Sequence, residues 1–385
     1  MNPRISLSLI WLTGIGVCFL PTNVASAEFF PIGIYGIEAG HTNDFPVLQA
    51  AGFNCVQSYQ HDVQALKSLL RSCENRGLKA IVPAGITSAE SSQQQVLEKR
   101  MRELGQFKSL LAWYVSDEPD YQKIPPAEVK QLRNMVAETG TRVRCALVIG
   151  NGRAAADYAT ATDILMVDWY PIPHLPLASF GLAVRQSRFA AGSGKPVFGV
   201  IQAFDWAEIF PRSKKLGIGR FPSEAELRAM SLLGVIEGAS GVFFFSYQTG
   251  NKVLTQRPEE WHRVQAAASE LSRLSPILAS PTVWTPLDLG IEPDKPRWRN
   301  IMGDEALQIA CKHLEKWDGN YKAGDYLLVV NTTNERRKSR IHVPGLRGSK
   351  VDLAGQKTSA SIDQGWIEDD FEPYATRVYG PLPLE

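Results

Sequence analysis

The chain is poor in the features that announce many common chemistries. It has 5 cysteines in 385 residues, and no two form a Cys-x-x-Cys pair, so a zinc knuckle is not expected. The histidines include no His-x-His or His-x-x-x-His pair. His41, His61 and His174 each follow an expected strand end, but their spacing announces no metal site, and neither metal nor cofactor is expected. Neither sign of charge dominates: 41 basic residues face 40 acidic ones, and Arg4 is the one charged residue in the first 27. That balance argues against nucleic acid or an anionic membrane as the main partner. No Gly-x-Ser-x-Gly elbow, phosphate loop or dinucleotide turn occurs. Beyond residue 27 no apolar run reaches the length of a membrane span.

The start of the chain has a character of its own. Arg4 precedes a mostly apolar stretch from Ile5 to Leu20, and Ala25-Ser26-Ala27 offers small residues for cleavage. This is the layout of a secretory signal peptide over 1–27, and it implies a secreted or periplasmic protein. A lipid attachment at Cys18 is the weaker option, because Ile15-Gly16-Val17 fits a lipobox poorly. In an oxidising compartment Cys55 and Cys73 are candidates for a bridge, with buried free thiols an equal alternative.

Eight short runs rich in β-branched and aromatic residues come next: Phe30–Tyr35, Phe53–Tyr59, Lys79–Ala84, Leu111–Ser116, Arg144–Ile149, Ile164–Tyr170, Pro196–Ala203 and Gly241–Tyr247. Segments with helical spacing separate them, among them His61–Arg76, Ser88–Leu104, Pro126–Glu138, Pro176–Ala191 and Ser223–Glu237. Ser223 and Glu226 make a capping box. Eightfold strand–helix alternation predicts a (β/α)₈ barrel over 28–278. The rival, a doubly wound open sheet, calls for a glycine fingerprint that Gly33-Ile34-Tyr35-Gly36 does not supply. After the helix at Pro258–Ser275 the helical period disappears. Strands at Ala306–Lys312, Asp325–Asn331, Ser339–Val343 and Ala375–Tyr379 predict a small antiparallel β-sandwich over 279–385.

Active sites of such barrels lie at the carboxyl ends of the strands. Those ends supply carboxylates, amides and aromatic rings, the mixture that sugars require: rings for pyranose faces, polar groups for hydroxyls. The candidate substrate-binding residues are Gln57, Tyr59, Asp117, Tyr170, Gln202, Trp206 and Tyr247. Trp113 is a further candidate platform, although such rings belong more often to a core.

The run Trp113-Tyr114-Val115-Ser116-Asp117-Glu118-Pro119 closes the fourth strand. It resembles the acid/base strand of clan A glycoside hydrolases, which ends in Asn-Glu, often followed by Pro. The similarity of layout extends over residues 29–276. Asp369-Asp370-Phe371-Glu372-Pro373-Tyr374 with Val378-Tyr379 resembles the closing strands of their appended β-domains. The resemblance implies Glu118 as general acid, with Asp117 in place of the clan's Asn, and a carbohydrate substrate. The chain departs from the clan at strand seven, where Gln202 stands in place of the nucleophilic Glu, and an amide cannot form a glycosyl ester. Three alternatives stay open. Asp168, which shares strand parity with Tyr170, acts as second carboxylate; Asp205 does so; or the barrel binds glycans without cleaving them.

Overall fold

The structure, a computed structural model, describes residues 29–86, 88, 90–284, 290–292 and 306–385. The signal-peptide reading of 1–27 lies outside the described residues. Eight strands form a closed barrel: β1 (Ile32–Ile34), β2 (Cys55–Gln57), β3 (Lys79–Pro83), β4 (Leu110–Asp117), β5 (Arg144–Ile149), β6 (Ile164–Asp168), β7 (Val197–Gln202) and β8 (Gly241–Phe245). Each is parallel to its neighbours, and β1 pairs with β8 through Gly33↔Phe243 to complete the ring.

Strand alternation divides each strand between two cores. Cys55, Ile81, Ala112, Tyr114, Ala146, Val148, Met166, Phe198, Val200 and Phe243 pack together inside the barrel. Val56, Val82, Trp113, Leu147, Val167 and Ile201 face the helices. The interior is therefore filled with side chains, and open space appears only where the strands end. Gly33 illustrates how full it is: a Cβ there would lie 2.1 Å from the Phe243 ring.

The helices begin and end where their sequences direct. Asp62 caps Val63–Arg76 by accepting from the Ala65 amide, and Gly77 closes it in the left-handed region. Ser223 and Glu226 form the expected capping box ahead of Glu224–Ile236. The last barrel helix, Pro258–Ala279, runs four residues past its expected end and through Pro276. Burial of Ile277 and Leu278 holds that final turn in place. Among the described residues no helix is long and apolar enough to cross a membrane. Cys55, Cys73, Cys145 and Cys311 are buried free thiols, so the candidate Cys55–Cys73 bridge is not formed. Burial pushes the Cys73 thiol up to about 12.

Beyond the barrel lie two antiparallel sheets, one of four strands and one of five. The four-stranded sheet centres on Leu307–Leu314, Gly324–Asn331 and Thr376–Tyr379, and the five-stranded one on Arg337–His342 and Trp366–Phe371. The strand Ser359–Asp363, whose polar residues alternate with the buried Ala360 and Ile362, was not singled out in the sequence, whereas Trp366–Phe371 contains the Asp369-Asp370-Phe371 run that resembles a closing strand. Leu327 and Val329 face the second sheet, alongside Ile341 and Ile367. Tyr326, Leu328 and Val330 join the barrel's outer core, against the helix Glu224–Ile236. One strand is thus buried on both faces, which is why it reads as a continuous apolar run.

Because Leu328 links the β-domain to the barrel, Leu328→Ala should lower the unfolding free energy by about 2–5 kcal/mol. Urea denaturation followed by tryptophan fluorescence measures it, and a loss well under 1 kcal/mol would contradict this packing.

Candidate active site

Strand β4 carries an irregularity that sets the direction of its last side chains. Tyr114 pairs with Ala146, Ser116 with Leu147 and Asp117 with Val148, so the register slips by one residue between Tyr114 and Ser116. Ala146 and Val148 both face the barrel interior. A bulge of this kind re-aims side chains. It gives Tyr114 and Asp117 the same inward direction, although they are three residues apart. The Tyr114 hydroxyl donates to Asp117 Oδ1 at 2.5 Å, and the Tyr59 hydroxyl reaches the same oxygen at 3.5 Å. Burial raises the Asp117 carboxyl, and the two phenols oppose that rise.

Glu118 follows in the left-handed region, with φ 40° and ψ 53°. A residue with a Cβ pays about 1–3 kcal/mol for such a conformation, and strain of this kind gathers at functional sites. The Glu118 amide is anchored on the Val148 carbonyl, and its own carbonyl accepts from Tyr121 and Gln122. The side chain turns into the mouth of the barrel. Gly150, at the end of β5, leaves the room: a Cβ there would stand 2.2 Å from the Tyr121 ring and 3.0 Å from Glu118 Oε1.

Asp168 reaches the same place from β6. It continues the inward parity of Ile164 and Met166, is only 8% exposed, and accepts from the Tyr170 hydroxyl at 3.1 Å through Oδ2. The Glu118 and Asp168 carboxyls lie within hydrogen-bonding reach of one another. Asp168 Oδ1 finds no other donor in the protein. Two buried carboxyls this close repel one another when both are ionised, which favours the protonated form of the pair. Burial, and then the Glu118 charge, hold Asp168 well above the usual carboxylate range. Burial, and then the Asp117 charge, raise Glu118.

These carboxyls open into a cleft of about 600 Å³. Tyr170, Phe204, Trp206, Phe210 and Phe245 form one wall, with Leu175, Ile209 and His174 at its edge, and Tyr59 and Tyr121 stand on the other side. The wall is continuous: Tyr170 stacks on Phe245 at 5.6 Å, and Trp206 lies 5.1 Å from Phe204 and 5.3 Å from Phe210. Tyr121 at 55%, Phe210 at 48% and Leu175 at 45% expose apolar surface to an incoming ligand.

Of the residues singled out in the sequence, Asp117, Glu118, Asp168, Tyr59, Tyr170 and Trp206 line this cleft. Five others are turned to different tasks. Asp205 Oδ1 accepts from the Ala207 amide at 2.8 Å and caps the short helix Trp206–Ile209. Gln202 spends its amide on the backbone of Ile172 and Phe204, securing the loop that carries the cis Ile172–Pro173 bond. Gln57 is fully buried, accepting from the Gly36 amide and donating to the Ser58 carbonyl. Tyr247 is buried against Asp44 and His41. Trp113 packs in the outer core. Among the described residues no three His, Cys, Asp or Glu side chains converge as metal ligands. Tyr114, Tyr121, Gly150 and Phe210 also shape the site, and the sequence did not single them out. Tyr114 was hidden by the bulge, and Phe210 sits in a loop with no periodicity to reveal it.

No family model and no curated protein sequence matches the chain. Solved structures do match in fold. A structure described as a glycoside hydrolase gives a TM-score of 0.59 at 12% identity, covering 91% of this chain and 92% of its own. AmyP in complex with maltose gives 0.57 at 9% identity, covering 90% and 96%. An inactive MutB double mutant in complex with isomaltulose gives 0.55 at 10% identity, covering 92% and 98%. The similarity spans barrel and β-domain together, and the chain shares the architecture of these structures.

The carboxyl pair has a consequence for stability. With its pKa raised on folding, Asp168 keeps a proton that the unfolded chain gives up, so stability falls as pH rises from the ordinary carboxylate range to the raised value. Asp168→Asn removes that penalty. Its melting temperature should match the wild type near pH 3 and exceed it at neutral pH, as read by calorimetry across pH. Equal melting temperatures throughout would show that no proton is held there.

Proposed function

We propose that this protein is an exported glycoside hydrolase acting on an oligo- or polysaccharide, with Glu118 as its general acid and Asp168 as the partner carboxyl. The single observation that carries the reading is the convergence of Glu118 and Asp168 on one cleft walled by aromatic rings. A general acid must still hold its proton near neutral pH, and burial with neighbouring negative charge achieves that for Glu118. The shared architecture with structures that carry maltose and isomaltulose supports a carbohydrate substrate. The layout of residues 1–27 supports export to the periplasm or medium, with the mature chain beginning at Glu28.

The chemistry follows from the layout. A pyranose stacks by its apolar face on the Trp206 and Phe210 side of the cleft, with the bond to be cut above Glu118. Glu118 passes its proton to the departing glycosidic oxygen. Positive charge then grows at the anomeric carbon and the ring oxygen. Asp117, fixed by two phenols, supplies the opposing charge without having to reorganise. Asp168 exchanges hydrogen-bond roles with Glu118 as that residue alternates between acid and base.

Glu118→Gln keeps the shape and removes the proton. It should reduce the release of reducing ends from a susceptible glycan by about 10²–10⁴-fold, while calorimetric binding of the same glycan persists. The wild-type rate should fall as pH rises through the raised Glu118 pKa. Asp117→Asn removes a charge that raises this pKa and should move the alkaline limb to lower pH. Binding without turnover on a broad panel of glycans would instead identify a glycan-binding barrel.

A further inference from the structure

Part of the cleft wall is an excursion of the chain that follows β7. It leaves the barrel at Asp205, makes the short helices Trp206–Ile209 and Pro211–Leu216, and returns at Gly219. The two ends touch: a Cβ on Gly219 would stand 2.2 Å from Asp205 Oδ1 and 2.4 Å from the Ala207 amide nitrogen. Segments closed at the base in this way project as compact surface loops. Glu208 ties the loop to the region after β8 through Lys252 at 2.7 Å and Arg257 at 2.9 Å. One flank, with Trp206, Ile209 and Phe210, lines the cleft.

The rest of the loop exposes what a folded protein normally covers. Leu216 is 61% exposed and Ile218 45%, and neither lines the cleft. Four of the thirteen exposed large apolar side chains among the described residues fall within 209–218, so they form a concentration rather than a scatter. Beside them stand Arg212, Lys214 and Lys215, all exposed. Among the described residues no carboxylate pairs with any of these three cations. Glu208, the loop's own acid, is already taken by Lys252 and Arg257.

We infer that this loop docks on an anionic phospholipid surface. Leu216 and Ile218 enter the boundary of the acyl chains, and Arg212, Lys214 and Lys215 meet the phosphates. Charge is balanced over the chain as a whole, so the attraction is local, set by three cations within four residues. Leucine and isoleucine have no ring to stack on a pyranose, so an anionic polysaccharide offers them little. A second copy seated on the same patch would bring two sets of cations together. Hydrocarbon beneath a layer of phosphate satisfies both kinds of side chain. Because Ile209 and Phe210 belong to the same loop, docking sets the mouth of the cleft at the lipid surface. The inference stands apart from what the cleft does to a glycan.

The test is flotation with lipid vesicles of the chain from Glu28 onward, which keeps every described residue and omits the apolar stretch Ile5 to Leu20. One set of vesicles is phosphatidylcholine alone, and the other mixes it equally with phosphatidylglycerol. Binding to the mixed vesicles should be about 100-fold tighter than to the neutral ones and should weaken as added salt screens the charges. Changing Arg212→Gln, Lys214→Gln and Lys215→Gln together should abolish that preference. Leu216→Ser with Ile218→Ser should weaken binding about tenfold or more, and both variants should keep the wild-type thermal melt. Absence of flotation, equal binding to the two kinds of vesicle, or variants that bind as the wild type does would each overturn the inference. So would retention by a soluble anionic polysaccharide without flotation, or a dimer that Leu216→Ser dissociates. Release of reducing ends from a soluble glycan does not depend on docking, so the glycosidase reading succeeds or fails separately.

Discussion

Closure of β1 onto β8 is the constraint on which the rest of the molecule depends. Once eight parallel strands meet in a ring, alternate side chains must fill a narrow interior, and Tyr35, Phe198 and Phe243 do so with little space remaining. Side chains at the strand ends have no layer above them. They are the first inward groups able to meet a solute, and their identities set the chemistry. Asp168 is inward because Ile164 and Met166 are inward below it. The site is thus a consequence of packing beneath it rather than of loops arranged above it.

Two local departures from regularity convert that floor into a reactive one. The slip in β4 lets Tyr114 and Asp117 face the same way, which alternation alone forbids. The left-handed backbone at Glu118 then turns the chain sharply into the short helix Pro119–Gln122. Both cost free energy, and both are held by neighbours: the Val148 carbonyl on one side, and the space above Gly150 on the other. Their combined effect is to bring carboxyls from β4 and β6 together in a poorly solvated hollow. Ionising both would be expensive, so one proton stays.

The β-domain contributes from behind. Its strand Gly324–Asn331 packs one face on the helix Glu224–Ile236 and the other on the second sheet. That helix in turn covers β7 and β8, whose ends carry Phe204 and Phe245 in the aromatic wall. The two sheets therefore share a continuous apolar structure with the barrel, which keeps the wall on a stiff support far from the solvent-facing rim.

The sequence by itself determined the architecture. Eight apolar runs alternating with helical periods specify a barrel because periodicity records which faces are buried, and burial is the dominant driving force. It also marked Glu118 through its Asp-Glu-Pro context and Asp168 through its parity with Tyr170. What only the tertiary structure decided was which polar groups are free to act. Gln57, Gln202, Asp205 and Tyr247 all sit near strand ends, yet each is committed to backbone groups or, for Tyr247, to the Asp44 carboxylate. The register slip in β4 was equally illegible, since it arises from pairing with β5 and leaves no mark in composition. Contact between Glu118 and Asp168 joins positions fifty residues apart, and such proximity follows from ring closure rather than from any local pattern.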